Sequence, residues 1–144
     1  MLIRLIYASQ TAQPMRPADV EELLTRAQVA NHNRDITGAL AFNHRSFLQA
    51  LEGEREVVSE LYGRLVRDPR HQRLVILAMD NITERAFADW SMGFAAADAA
   101  HRQLFLRHGV SSQFDPHAMT GAAALHLLTE MTRQKTRAPD ALAA

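Results

Sequence analysis

Tyr7, Asn31 and Gln49 are hydrogen-bonding side chains at positions where the local repeat calls for apolar ones. Tyr7 follows Ile3 and Leu5 on one face of the alternating opening segment LIRLIYAS. Asn31 closes a helical stripe of Val20, Leu23, Leu24 and Ala27. Gln49 stands between Phe47 and Leu51 on one face of FLQAL. A buried carboxamide without a partner costs about 1–3 kcal/mol. Two amides and a phenol on apolar faces therefore either satisfy one another and the nearby backbone, as buried polar groups usually do, or bind a polar ligand. Asn and Gln offer donors and acceptors without charge, which suits a neutral planar heterocycle with carbonyls and ring nitrogens along one edge. On the residues alone, both readings stay open.

The elements that must position these groups follow from hydrophobic period and turn chemistry. Residues 2 to 8 alternate as a strand, and a helix starts at Pro17, a favourable first helical residue. Residues 36 to 43 and 46 to 52 predict two strands around a tight turn at Asn43 to Arg45. A second helix, 54 to 68, carries Val58, Leu61, Tyr62 and Leu65 inward and stops before Pro69. The run RLVILAM, 73 to 79, predicts a central strand covered on both faces. Trp90, Met92 and Phe94 alternate with Ser91 and Gly93 and predict a fifth strand, with Trp90 and Met92 as its core residues.

The order βαββαββ predicts an α+β, ferredoxin-like fold with two helices on one face of the sheet. In that layout Tyr7, Asn31 and Gln49 all face the space between sheet and helices. The other sheet face, with Leu2, Ile6, Leu48 and Ala50, needs its own cover. A helix over 98 to 108 ending at Gly109 can supply it. So can a helix starting at Asp115-Pro116, whose stripe is Met119, Ala122, Leu125, Leu128 and Met131. The division expected is a ligand-binding domain over 1–95, a helical cap over 96–133 and a frayed tail over 134–144.

Composition narrows the function classes. The chain has 144 residues, 47% of them hydrophobic and 22% charged, enough for one domain with a real core. Sixteen basic residues balance sixteen acidic ones, which gives no sign of a nucleic-acid or membrane-surface partner and weakly favours self-association. Without cysteine there is no disulfide, thiolate nucleophile or zinc-thiolate site. The opening apolar run is too short for a signal peptide, and no stretch approaches the roughly 18 apolar residues of a membrane span. A cytoplasmic location is the expectation. The seven histidines lack metal-like spacing, the serines sit in no nucleophile elbow, and the glycines form neither a P-loop nor GxGxxG. Arg64 and Arg67, beside Asp68, either meet a ligand's polar end or form a solvated helix face.

The segments RLIYAS, NHNRDITGAL, FLQALEG and WSMGF, in this order and spacing across about residues 1 to 95, resemble the BLUF family of flavin-binding blue-light photoreceptors. The resemblance implies non-covalent FAD with its ring between the two helices. It assigns the photoactive tyrosine to Tyr7, the flavin-binding asparagine to Asn31, and the essential glutamine to Gln49. Trp90 and Met92 match the tryptophan and methionine of the last strand, Arg64 and Asp68 match polar residues near the ring, and Phe47 matches an apolar wall. Two positions depart from the family pattern. Ala30 replaces a second polar residue before the asparagine, and Ala27 replaces a serine found in some members.

The implied mechanism needs no substrate. Light drives an electron, and then a proton, from Tyr7, Gln49 changes its hydrogen bonding, and the change passes through Trp90 and Met92 to the C-terminal helices. The stretch beyond residue 95 is too short for a catalytic output domain. A non-enzymatic sensor is therefore expected, acting as a homodimer and on an effector protein in trans.

Overall fold

The computed structural model describes residues 1–134. Five strands and four helices follow the order β1 (Leu2–Thr11), α1 (Pro17–Asn33), β2 (Thr37–Phe42), β3 (Ser46–Glu54), α2 (Arg55–Arg67), β4 (His71–Asn81), β5 (Gly93–Ala96), α3 (Arg102–His108) and α4 (Gly121–Gln134). The strands form one sheet in the order β4-β1-β3-β2-β5. All neighbours are antiparallel except β2 and β5, which run parallel. The β2–β3 turn closes as its sequence requires: the Asn43 side-chain oxygen accepts from the backbone N–H groups of Arg45 and Ser46 at 2.9 and 2.7 Å.

Alternation along the strands sends side chains to two separate apolar layers. Ile3, Leu5, Tyr7, Leu40, Phe47 and Leu51 pack under α1 and α2 with Val20, Leu24 and Val58. Ile6, Leu48 and Ala50 pack on the opposite face against Leu104, Phe105, Leu127, Leu128 and Met131. The C-terminal helices do cover the second face. Among the described residues no helix is long and apolar enough to cross a membrane.

Four expectations need correction. β4 is an edge strand, not a central one: only β1 flanks it, and Val75, Ile76 and Met79 are about half exposed. An apolar run reports hydrophobicity, not the number of neighbours, and register shifts opposite Ile6/Tyr7 and Ala8/Gln10 also break the regular ladder. The fifth strand begins only at Gly93, so Trp90 and Met92 precede it in a bent segment. Asp115-Pro116 opens a short 3-10 turn and makes no side-chain cap, and the last helix starts at Gly121. That later start rotates the buried stripe to Ala124, Leu127, Leu128 and Met131, leaving Ala122 exposed. Gly109 ends α3 in an extended conformation, with φ −129°, rather than a left-handed one. The expected tail beyond residue 134 lies outside the described residues.

One charged residue organises the loop between β4 and β5. Glu52, on β3, is fully buried. Its carboxylate accepts from Arg4 Nε at 2.9 Å, from Thr37 Oγ1 at 3.1 Å, and from the backbone N–H groups of Ala86 and Phe87 at 2.8 and 3.0 Å. A buried carboxylate is tolerated only when its oxygens are bonded in this way. The result fixes the chain just ahead of Ser91 and Met92.

Candidate functional site

Tyr7 on β1 and Gln49 on β3 are directly opposite each other in the strand register. Both face the α1/α2 layer, and the Tyr7 hydroxyl donates a hydrogen bond to Gln49 Oε1. Tyr7 is 1% exposed, and burial, aided by Tyr62, pushes its phenol well above the ordinary tyrosine value. It is therefore a neutral donor throughout the pH range in which the protein is handled. The Tyr62 ring meets the Tyr7 ring edge-on, with centroids 5.4 Å apart. The other end of the Gln49 carboxamide points its Nε2 at Met92 Sδ, 3.4 Å away. Thioether sulfur is a weak acceptor, so this buried donor is under-satisfied.

The Tyr7–Gln49 pair forms the floor of an open-sided cleft between α1 and α2. Val20, Leu23, Leu24 and Ala27 of α1, Leu40 and Phe47 of the sheet, and Leu65 of α2 form its apolar walls. Asp68, Arg70 and His71 complete the lining on the β4 side. Hydrogen bonding to the Arg70 guanidinium, the shortest contact at 2.6 Å, holds the Asp68 carboxyl down to about 2. Burial holds the His71 imidazole below its usual value. A fixed carboxylate and a largely neutral imidazole thus stand beside an apolar slot.

The sequence-derived residues divide in space. Tyr7, Phe47, Gln49 and Asp68 all line the cleft. Asn31 is buried one turn beyond Ala27 but lies off the lining, and its Nδ2 donates to the Ser91 carbonyl at 3.1 Å. Arg64 also lies off the lining, half-exposed and paired with Glu60 one helical turn back at 3.1 Å. Met92 is fully buried in the α1/α2 layer. Trp90 packs on the opposite sheet face with the C-terminal helices, because the chain bends at 91–92. Gly93 permits that fold-back: a Cβ there would lie 3.1 Å from the indole. Arg70 and His71 were not singled out from the sequence. The polar run Asp68-Pro69-Arg70-His71 between helix and strand is the signal that could have found them.

The cleft fits an isoalloxazine ring. Its apolar walls suit an aromatic tricycle, and its floor offers an amide donor whose present partner is a poor acceptor. The chain matches the family described as BLUF, sensors of blue-light using FAD, over residues 2–93. The photoactivated adenylate cyclase subunit beta of Euglena longa is 35% identical over 98 residues, 67% of this chain and 11% of that protein. The blue light- and temperature-regulated antirepressor BluF of Escherichia coli (strain K12) is 37% identical over 92 residues, 64% of this chain and 23% of that protein. The chain therefore spans only a small part of these curated relatives.

Among solved structures, the photo-activated state of BlsA superimposes with a TM-score of 0.81 at 29% identity, covering 95% of this chain and 99% of BlsA. The dark state of BlrB, a BLUF protein, gives 0.72 at 30% identity, covering 90% and 93%. With the family matched over most of its length and the fold matched over nearly all of it, this chain belongs to the BLUF family of blue-light sensors that use FAD.

Proposed function

We propose that this chain is a blue-light photoreceptor that holds FAD in the α1/α2 cleft and signals by rearranging the Tyr7–Gln49 pair. The observation that carries this reading is the phenol-to-carboxamide hydrogen bond on the floor of an otherwise apolar cleft. FAD, when bound there, supplies blue-light absorption and an excited state that accepts an electron. Phe47 and the α1 leucines wall the ring, Gln49 meets its polar edge, and Asp68 stands at the side of the slot. Asn31 and Arg64, both off the present cleft lining, serve as further contacts to the bound cofactor.

Tyr7 is the electron donor in the cleft. A phenol that loses an electron becomes a strong acid, and the proton's hydrogen-bonded acceptor is Gln49 Oε1. A carboxamide accepts at one end and donates at the other, so turning or tautomerising it exchanges the two roles. The end that now touches Met92 Sδ is then altered, and Met92 leads directly into β5. Trp90, on the opposite face, carries the change toward α3 and α4.

In this reading the protein is a sensor and not an enzyme, with residues 1–95 as the sensing domain and 96–133 as its cap. It acts in the cytoplasm on an effector protein, without nucleic acid or membrane. It also pairs with a second copy. The stripes of α3 and α4 are buried against the sheet, so the half-exposed Val75, Ile76 and Met79 supply apolar surface for that pairing.

Filling the slot tests the assignment of the cleft. Ala27 lines it from α1, and Ala27→Trp should place an indole where the ring is to lie. We expect FAD affinity to fall at least about tenfold, an order set by the apolar contact area withdrawn from the ring, with an unchanged far-UV circular dichroism spectrum. Stoichiometric FAD in the folded variant would place the cofactor elsewhere.

A further inference from the structure

Three consecutive carbonyls lie between the Glu52-anchored loop and the start of β5, and each has a defined donor. The Trp90 carbonyl accepts from the Gly38 backbone N–H at 3.1 Å. The Ser91 carbonyl accepts from Asn31 Nδ2 at 3.1 Å, and the Met92 carbonyl accepts from Gln28 Nε2 at 2.9 Å. In an extended strand, successive carbonyls point to opposite sides. Here the bend at 91–92 lets neighbouring ones turn to the same helix. Gln28 and Asn31 are three apart on α1, so their side chains lie on one helical face and reach adjacent peptide groups.

Gln28 stands beside Ala27 on the edge of the apolar stripe, is half-buried, and does not line the cleft. Its position nevertheless bears on the switch. The residue whose carbonyl it holds is the one whose sulfur lies 3.4 Å from Gln49 Nε2. The Met92 side chain has little freedom beyond that, since a Cβ on Gly38 would sit 3.2 Å from Met92 Cε. Met92 is thus fixed at its backbone by α1 and at its side chain by β2 and Gln49, immediately before the edge strand begins.

We propose that Gln28 is a positioning residue of the light response: by holding the Met92 carbonyl to α1, it turns a change at Gln49 into movement of β5. The proposal rests on the photoreceptor reading and specifies how the signal leaves that site. With the carbonyl held, displacement of the Met92 sulfur must be taken up by the backbone that continues into Gly93–Ala96. With the carbonyl free, the peptide group rotates and absorbs it locally. Gln28 acts through Met92 and does not touch the reacting groups, so its removal should separate photochemistry from output.

The test uses Gln28→Leu, of similar size but without a donor, and Gln28→Glu, which keeps the polarity but is acceptor-only when ionised. In the dark, the Gly93–Ala96 amides of Gln28→Leu should exchange with deuterium about fivefold faster than wild type, the factor expected for loss of one hydrogen bond. That acceleration should appear both with and without FAD. Blue light should still shift the flavin spectrum of the variant, but the light-induced change in β5 exchange seen in wild type should disappear. Gln28→Glu should match or exceed these effects, whereas a role in bulk or polarity alone would leave it close to wild type. Dark exchange of β5 within twofold of wild type in Gln28→Leu, or a retained light-induced change there, would overturn the proposal. Absence of any spectral shift in the wild type would instead count against the photoreceptor reading, leaving the dark-exchange result to judge the carbonyl clamp on its own.

Discussion

Replacing Tyr7 with Phe should abolish the light-induced red shift while leaving FAD bound. The substitution keeps the ring that packs under α2 and removes the one O–H that bonds Gln49 Oε1. Wall contacts from Phe47 and the α1 leucines are untouched, so cofactor content should stay near one per chain. Tyr62, edge-on to residue 7 at 5.4 Å, can supply an electron in its place. Its hydroxyl has no bond to Gln49 among the described residues, so it gives Gln49 no proton and leaves the carboxamide unswitched. Folding should weaken by about 1–2 kcal/mol, because the Gln49 oxygen loses its partner in a buried site. Gln49→Leu should be equally silent to light for the complementary reason: the donor remains but the switching group is gone. Difference spectroscopy on each loaded variant checks both, and a red shift of wild-type size in either would break the proposed sequence of events.

The second large effect belongs to Glu52. Glu52→Gln retains the volume but removes the charge that compensates Arg4, whose side chain is only 13% exposed. It also puts an NH₂ group where one of the present donors, Thr37 Oγ1 or the N–H groups of Ala86 and Phe87, now bonds an oxygen. Removing one partner of a buried pair costs about 3–5 kcal/mol, a large share of the roughly 5–15 kcal/mol that stabilises a domain. Thermal unfolding should therefore fall by about 10 °C, read by circular dichroism. The loss should reach the site as well, because the freed loop leads into Ser91 and Met92. FAD should bind more weakly than to wild type at temperatures where both are folded. Gln28→Leu, which loses one half-buried hydrogen bond, should unfold close to wild type. The two variants thus separate loss of the loop's anchor from loss of the carbonyl clamp.

The contrast between Gln49 and Glu52 shows what a single sequence exposes. Gln49 was legible because it interrupts an apolar face, and Tyr7 and Asn31 were legible for the same reason. The register then made Tyr7 and Gln49 cross-strand partners. Glu52 interrupts nothing in the pattern, since a charged residue late in a strand reads as solvated. Its partners Arg4, Thr37, Ala86 and Phe87 lie 15 to 48 residues away.

The same non-locality explains β4. Its apolar residues fix it as a strand, but whether a neighbour lies on one side or two is decided by the rest of the sheet. Trp90 and Met92 share a parity that predicts one common face. The bend at Ser91–Met92, held by α1 side chains and permitted by Gly93, sends them to opposite faces. Arg64 is placed near the ring by family resemblance, and here it pairs with Glu60 one turn back, off the cleft lining. Local period thus located the floor of the site, and long-range packing decided which of its neighbours came with it.

Whether this chain senses blue light through FAD is decided by the absorption spectrum of the purified FAD-loaded protein, recorded in darkness, during blue light and again after dark incubation. An oxidised-flavin spectrum should move to longer wavelength on illumination and return in the dark, with FAD released on denaturation at one per chain. A folded protein with stoichiometric FAD whose spectrum is unchanged by blue light would contradict it.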